Sequence, residues 1–326
     1  MRRKNSRNKI PLPPRDGLGA SRVRLSEGEP VSAFAVLSRV IAEQRHKHPE
    51  DDEQAVLERF ASGEVVLRDG SPLAPDTPIT PGTDVFFYRR PAPETPVPFT
   101  IDTIYEDDSL LVVSKPPFLA TMPRAAHITE SATVRLRRAT GNEELTPAHR
   151  LDRMTSGLLL FTKRASLRGA YQELFARRQV RKRYEAIAEY RGISAPARWE
   201  HHISKRHGEV AAAIIADAAP NALTNLLEVS LIDAPEMQKT HHTQQPIARY
   251  LLEPVTGRTH QLRVQMNAAG APILGDPIYP AVSPFGEEDF TVPMRLASVY
   301  LGFPDPISGE LREFSGPGFS AGCVSI

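Results

Sequence analysis

His149-Arg150-Leu151-Asp152-Arg153-Met154-Thr155-Ser156-Gly157-Leu158-Leu159-Leu160-Phe161 sets one carboxylate among basic and small polar residues directly before an apolar run. Leu158 to Phe161, bounded by Gly157 and Lys163, is too apolar for the surface and predicts a central strand. Asp152 then lies in a turn at the mouth of the core. Taken alone, an aspartate in a Gly- and Ser-bearing turn is usually a cap or a surface ion-pair partner. A second stretch of note, Glu253-Pro254-Val255-Thr256-Gly257-Arg258-Thr259-His260-Gln261-Leu262-Arg263-Val264-Gln265, comes later in the chain.

The first stretch resembles the catalytic signature of the RluA-type pseudouridine synthases, H-R-L-D-x-x-T-S-G-L-L-L, at every fixed position. Gly257 to Arg263 resembles that family's later G-R-T-H-Q-L-R, and the two motifs occur in the family's order. The resemblance implies that Asp152 is catalytic and that Arg258 pairs with it. It also implies that Tyr184, 32 positions after Asp152 in Lys182-Arg183-Tyr184, stacks on the target base and assists the last proton removal. Arg150 matches the arginine that helps displace the target nucleotide, and Leu262 the apolar residue beside the uracil. Pseudouridylation detaches uracil from ribose and rejoins it through carbon 5, which requires no redox step, metal or cofactor. A carboxylate kept ionised by a neighbouring guanidinium can attack covalently or remove a ribose proton. The implied activity is isomerisation of uridine in structured RNA. A catalytically idle RNA-binding or ribosome-assembly protein on the same fold is the competing reading, and the joint retention of Asp152, Tyr184 and Arg258 favours the enzyme. Late in the chain, Arg295-Leu296-Ala297-Ser298-Val299-Tyr300 departs from the family's usual R-L-A-L-H-A.

The 326 residues suffice for a large domain and a small one. A net charge of +1 hides local asymmetry. Arg135 to Arg183 holds thirteen Lys or Arg against four acidic residues, and Met1 to Arg24 holds eight against one. Such clusters fit a polyanionic partner. The expected partner is an rRNA or tRNA stem-loop, bound by a monomer. The first residues are basic and lead into Pro11-Leu12-Pro13-Pro14 rather than an apolar stretch, and no run spans a bilayer, so a cytoplasmic protein without membrane contact is expected. The single Cys323 leaves no intramolecular disulfide. His201-His202, His207 and His241-His242 lack a regular metal-ligand spacing.

Along the chain, residues 1–24 read as a basic, disordered arm. Residues 25–90 read as a small α/β unit, with helices over Val31–Glu43 and Glu53–Phe60 and strands near Val65 and Val85. It resembles, in part, the RNA-binding domain that many of these synthases carry in front, and a simple packing module is an equal alternative because no basic stripe marks it. The proline-rich 91–98 is a spacer. Residues 99–326 form the expected catalytic domain, with a helix over Ser166–Val180, a half-buried strand over Lys182–Tyr190, strands over Thr224–Ile232 and Ile247–Val255, and a helix over Thr259–Ala269. Strands mixed irregularly with helices predict an α+β fold built on a mixed, largely antiparallel sheet.

Overall fold

A computed structural model describes residues 11–284 and 288–319. The chain divides into two compact units, one running to Pro96 and including Met122–Glu143, the other holding Val97–Thr121 and the remainder from Glu144.

In the front unit, β1 (Ser21–Arg24), α1 (Ala33–Ala42), α2 (Glu53–Ala61), β2 (Val65–Leu67) and β3 (Asp84–Phe87) form a three-stranded sheet, order β1-β3-β2, with two helices. Each helix starts where its sequence offers an acceptor for an orphan N–H. Ser32 accepts from Ala35 N at 3.3 Å and Asp52 from Ala55 N at 3.0 Å. Val36, Leu37, Ile41, Val56, Val65, Val85 and Phe87 make the core. The disordered arm expected over 1–24 does not extend through residues 21–24, where Ser21–Arg24 pairs antiparallel with β3 and packs the half-buried Val23 against that core. Residues 1–10 lie outside the described residues, as does Cys323. Helix α3 (Ala132–Thr140) also belongs to this unit rather than to the region behind the spacer. Hydrogen bonds explain that placement: Arg138 Nε donates to Asp16 O at 2.8 Å, and Glu94 accepts from Ile128 N and Thr129 N at 3.0 and 2.7 Å.

The second unit is built on ten strands, eight of them in one continuous path. They are β4 (Asp102–Glu106), β5 (Leu110–Lys115), β6 (Ser156–Thr162), β7 (Arg181–Glu189), β8 (Ala197–His201), β9 (Ala222–Ile232), β10 (Ile247–Pro254) and β11 (Leu296–Pro304), in the order β8-β9-β10-β7-β11-β6-β5-β4. A further strand, β12 (Leu311–Ser315), pairs with β11, and Thr146–Pro147 pairs with β6. All pairs are antiparallel except β6 with β11, so the sheet is mixed and largely antiparallel, as read from the sequence.

Strand β6 is the predicted central strand, and Leu158 to Phe161 are fully buried. Burial of each contributes about 1.5–3 kcal/mol before entropy is counted. Gly157 is required at its entry. Its φ is +97°, and a Cβ there would lie 2.2 Å from the Ser298 carbonyl oxygen across the parallel pair. Strand β7 differs from the expected half-buried strand: it lies between β10 and β11, and Tyr184 through Ala188 are all buried. Covering both faces of a central strand removes the alternation. Glu185 is accommodated there by accepting from Phe319 N at 2.7 Å.

Candidate active site

Asp152 stands in the turn before β6, and Thr155 N closes that turn on the Asp152 carbonyl at 3.0 Å. Thr121 clamps the preceding residue by donating to Leu151 O at 2.8 Å and accepting from Leu151 N at 3.1 Å. Lys115, at the end of β5, is fully buried beneath the turn and donates to the Pro116, Leu119 and Arg153 carbonyls at 2.7, 2.8 and 3.1 Å. Burial draws this ammonium down to about 7, Asp152 opposing and Arg153 adding to the shift. Backbone carbonyls rather than a carboxylate hold it, so its charge also acts on Asp152.

Arg150, Asp152, Tyr184, Arg258 and Leu262, the five residues singled out from the sequence, line one cavity of about 450 Å³, together with His149, Arg178, Lys182, His260 and Arg263. The volume lies within the range of small-ligand pockets, roughly 300–1,000 Å³. Tyr184 reaches the cavity from β7, where the register against β11 shifts between Arg183 and Tyr184. Such bulges re-aim a side chain. Burial pushes its phenol up to about 12, so the hydroxyl is a neutral donor and acceptor at ordinary pH.

The guanidinium facing Asp152 is not the expected one. Arg263 Nη1 lies 3.6 Å from Asp152 Oδ2, whereas Arg258 is exposed and donates through Nε to Asn221 O at 3.3 Å. The cause is local. His260 takes a left-handed conformation (φ 57°), so the helix expected from Thr259 begins at Gln261 as α5 (Gln261–Ala268). That break leaves Arg258 in the surface turn and turns Arg263 inward. Asp276, whose side chain is fully buried, fixes Arg263 by two bonds, from Nε at 2.7 Å and Nη2 at 2.6 Å. Burial pulls the guanidinium down, and Asp276 outweighs it, so Arg263 stays above its ordinary value and permanently charged. Burial lowers His260 to about 4, and its Nδ1 lies 3.1 Å from the Tyr279 hydroxyl.

Arg263, Asp276, Lys115 and Lys182 were not singled out from the sequence. Arg263 was within the quoted motif, but only the helix start decides which of its two arginines points inward. His149 is neutral: burial lowers it to about 3, its Nε2 accepts from Leu160 N at 3.2 Å, and its ring stacks on Phe175. Among the described residues no three or more His, Cys, Asp or Glu side chains gather as a metal site requires. No helix among them is long and apolar enough to cross a membrane.

Residues 109–268 match the sequence family described as RNA pseudouridylate synthase. The dual-specificity RNA pseudouridine synthase RluA of Pasteurella multocida is 30% identical over 224 residues, 67% of this chain and 93% of that protein. Ribosomal large subunit pseudouridine synthase D of Neisseria meningitidis serogroup B is 29% identical over 272 residues, 78% of this chain and 69% of that protein. Among solved structures, human RNA pseudouridylate synthase domain containing 1 aligns with a TM-score of 0.53 and 26% identity, over 67% of this chain and 83% of the other.

Proposed function

The chain belongs to the RluA-type RNA pseudouridine synthases, isomerases that convert uridine to pseudouridine in RNA, and from that premise we propose that Asp152 is the residue that acts on the target nucleotide. The proposed substrate is a stem-loop of rRNA or tRNA whose uridine leaves the stack to enter the Asp152 pocket. Arg150, exposed at the mouth, takes the displaced base's place.

The reaction breaks the bond from ribose carbon 1′ to N1, forms one from carbon 1′ to C5, and removes the C5 proton while N1 gains one, so that atoms and electrons balance. An ionised Asp152 starts it by attacking carbon 1′ or by taking a ribose proton. The observation that supports the assignment most directly is the Arg263 contact at 3.6 Å, which sets a guanidinium against the Asp152 carboxylate at the edge of a cavity. Tyr184 offers a ring face for the loose uracil and a hydroxyl near the reacting carbon. Leu262, buried at the cavity wall, gives the ring an apolar flank. The pocket has no need of a redox group or metal for this sequence of steps. Mapping pseudouridines in rRNA and tRNA from cells with and without the gene tests the substrate: one or a few sites should vanish and return with the wild-type gene. An unchanged map in both RNA classes would overturn the proposed substrate.

A further inference from the structure

The wall of the Asp152 pocket carries an excess of positive charge that its surroundings lack. Among the described residues Asp152 is the one carboxylate lining the cavity, and it faces Arg263. Arg150, Arg178 and Lys182 line the same cavity with no carboxylate partner among the described residues, and Arg258 meets a carbonyl. Their neighbours along the chain are neutralised instead. Arg177 pairs with Glu173 at 2.7 Å, and Arg181 and Arg183 with Glu253 at 2.7 and 3.3 Å. Glutamates thus cover the flanking cations and leave the pocket cations bare.

Lys182 is the most confined of these. It is half-buried, its Nζ donates to the Thr256 carbonyl at 3.3 Å, and a side chain on Gly257 would begin 4.0 Å away. Burial lowers the ammonium to about 8, and the like charge of Arg178 adds to the shift. Holding two cations together in a partly dry pocket is unfavourable unless an anion joins them. One carbonyl leaves two of the three ammonium protons for a ligand. Along β7, Lys182 precedes Tyr184 by two residues, and both open into the cavity. Two residues of strand span about 6–7 Å, comparable with the reach from a nucleobase to its own backbone phosphate.

We infer that Lys182, flanked by Arg178 and Arg258, forms a phosphate subsite that holds the phosphodiester of the nucleotide whose uracil lies between Tyr184 and Asp152. The inference rests on the pocket being the uridine site. It gives Lys182 a positioning role: anchoring the backbone fixes where carbon 1′ stops relative to the carboxylate.

Uridine, uridine 5′-monophosphate and uridine 3′-monophosphate, titrated into the full chain and followed by NMR, test it. One of the two monophosphates should bind about tenfold or more tighter than uridine, as a charge-assisted bond implies. It should shift the Lys182 side-chain resonances, which uridine alone leaves in place. Lys182→Met should abolish the advantage of the phosphate without weakening uridine, and Lys182→Arg should keep part of it. If neither monophosphate gains over uridine, or if Lys182→Met weakens all three ligands equally, there is no phosphate subsite at Lys182. Pseudouridine formation by the wild-type protein on transcribed rRNA and tRNA, measured alongside, separates the two levels: activity without a phosphate gain defeats this inference alone, and a phosphate gain with no activity on either RNA class defeats the substrate proposal.

Discussion

Arg59 in the front unit and Arg263 in the sheet unit are both nearly fully buried against aspartates. Arg59 Nη1 lies 2.7 Å from Asp51, and its other contacts are the Ala55 and Tyr88 carbonyls at 2.9 and 3.0 Å. Every one of these partners belongs to the front unit. Arg263 instead uses Nε and Nη2 on Asp276 and leaves Nη1 toward Asp152, whose side chain is 35% exposed. Arg59 borders a cleft but its aspartate does not line it, whereas the Arg263 cluster ends on a carboxylate that does. The clefts differ likewise. The front unit has the larger, about 870 Å³, but Asp16, Glu58, Glu64 and Glu94 line it beside its arginines, and Arg15 and Arg90 face Glu64 and Glu58. The smaller Asp152 pocket keeps its cations uncovered. Size alone therefore does not mark the reactive cleft; the larger surplus of cations over lining carboxylates does.

The largest effect expected is at the open end of the Arg263 cluster. Asp152→Asn keeps the shape but loses basicity and nucleophilicity, so turnover should fall about 10³-fold or more with RNA affinity little changed. Near-normal single-turnover rates would remove the carboxylate from the mechanism. Arg263→Met leaves Asp276 buried and unpaired, at a cost of about 3–5 kcal/mol in denaturant unfolding. The joint replacement Asp51→Leu with Arg59→Met should be close to neutral in stability and keep activity, since closed buried pairs exchange well for apolar contacts. Equal losses in both experiments would erase the distinction between the clusters.

Tyr184→Phe keeps the stacking face and should slow single-turnover chemistry by up to about a hundredfold if the hydroxyl moves a proton. An unchanged rate would leave Tyr184 as a platform. Acid should then weaken the sheet unit. Burial lowers His149 to about 3 and His241 and His260 to about 4. Between the ordinary imidazole value near 6.5 and these lowered values the unfolded chain binds more protons than the fold, so stability falls as pH drops through that window. His149→Gln should flatten that decline, and an unaltered pH profile would contradict a neutral His149. The smallest effect concerns RNA affinity against salt. Arg178→Gln should reduce the slope by about 0.7–0.9 log units per log unit of salt, one phosphate contact. Arg177→Gln and Arg181→Gln should change it less, because Glu173 and Glu253 already cover them. Equal changes at all three would mean the ion pairs open on binding.

Much of the fold was legible because local pattern and final environment agree. Four apolar residues after Gly157 can only be satisfied in a core, and Ser32 and Asp52 mark helix starts by their own chemistry. Where chain neighbours from elsewhere intervene, the pattern misled. The helix expected over Ser166–Val180 is a short 3₁₀ turn, Ala165–Leu167, followed by α4 (Arg168–Ala176), because Arg178 turns left-handed (φ 58°) to enter β7. The polar Glu185 suggested a wet face for β7, yet β10 and β11 enclose the strand and Phe319 N satisfies the carboxylate.

The sequence by itself determined that Asp152 ends a polar turn at a buried strand, that Tyr184 follows on a later strand, and that an arginine-bearing segment comes after both. Those are consequences of residue type and order, which local sterics and hydrophobicity read directly. Only the tertiary structure decided which arginine meets Asp152. Arg258 and Arg263 are five residues apart in one motif and chemically identical, and the left-handed His260, the start of α5 and the buried Asp276 together point one guanidinium inward and the other out. Direction at that precision belongs to the backbone path and to a carboxylate thirteen residues further on, which no local pattern encodes.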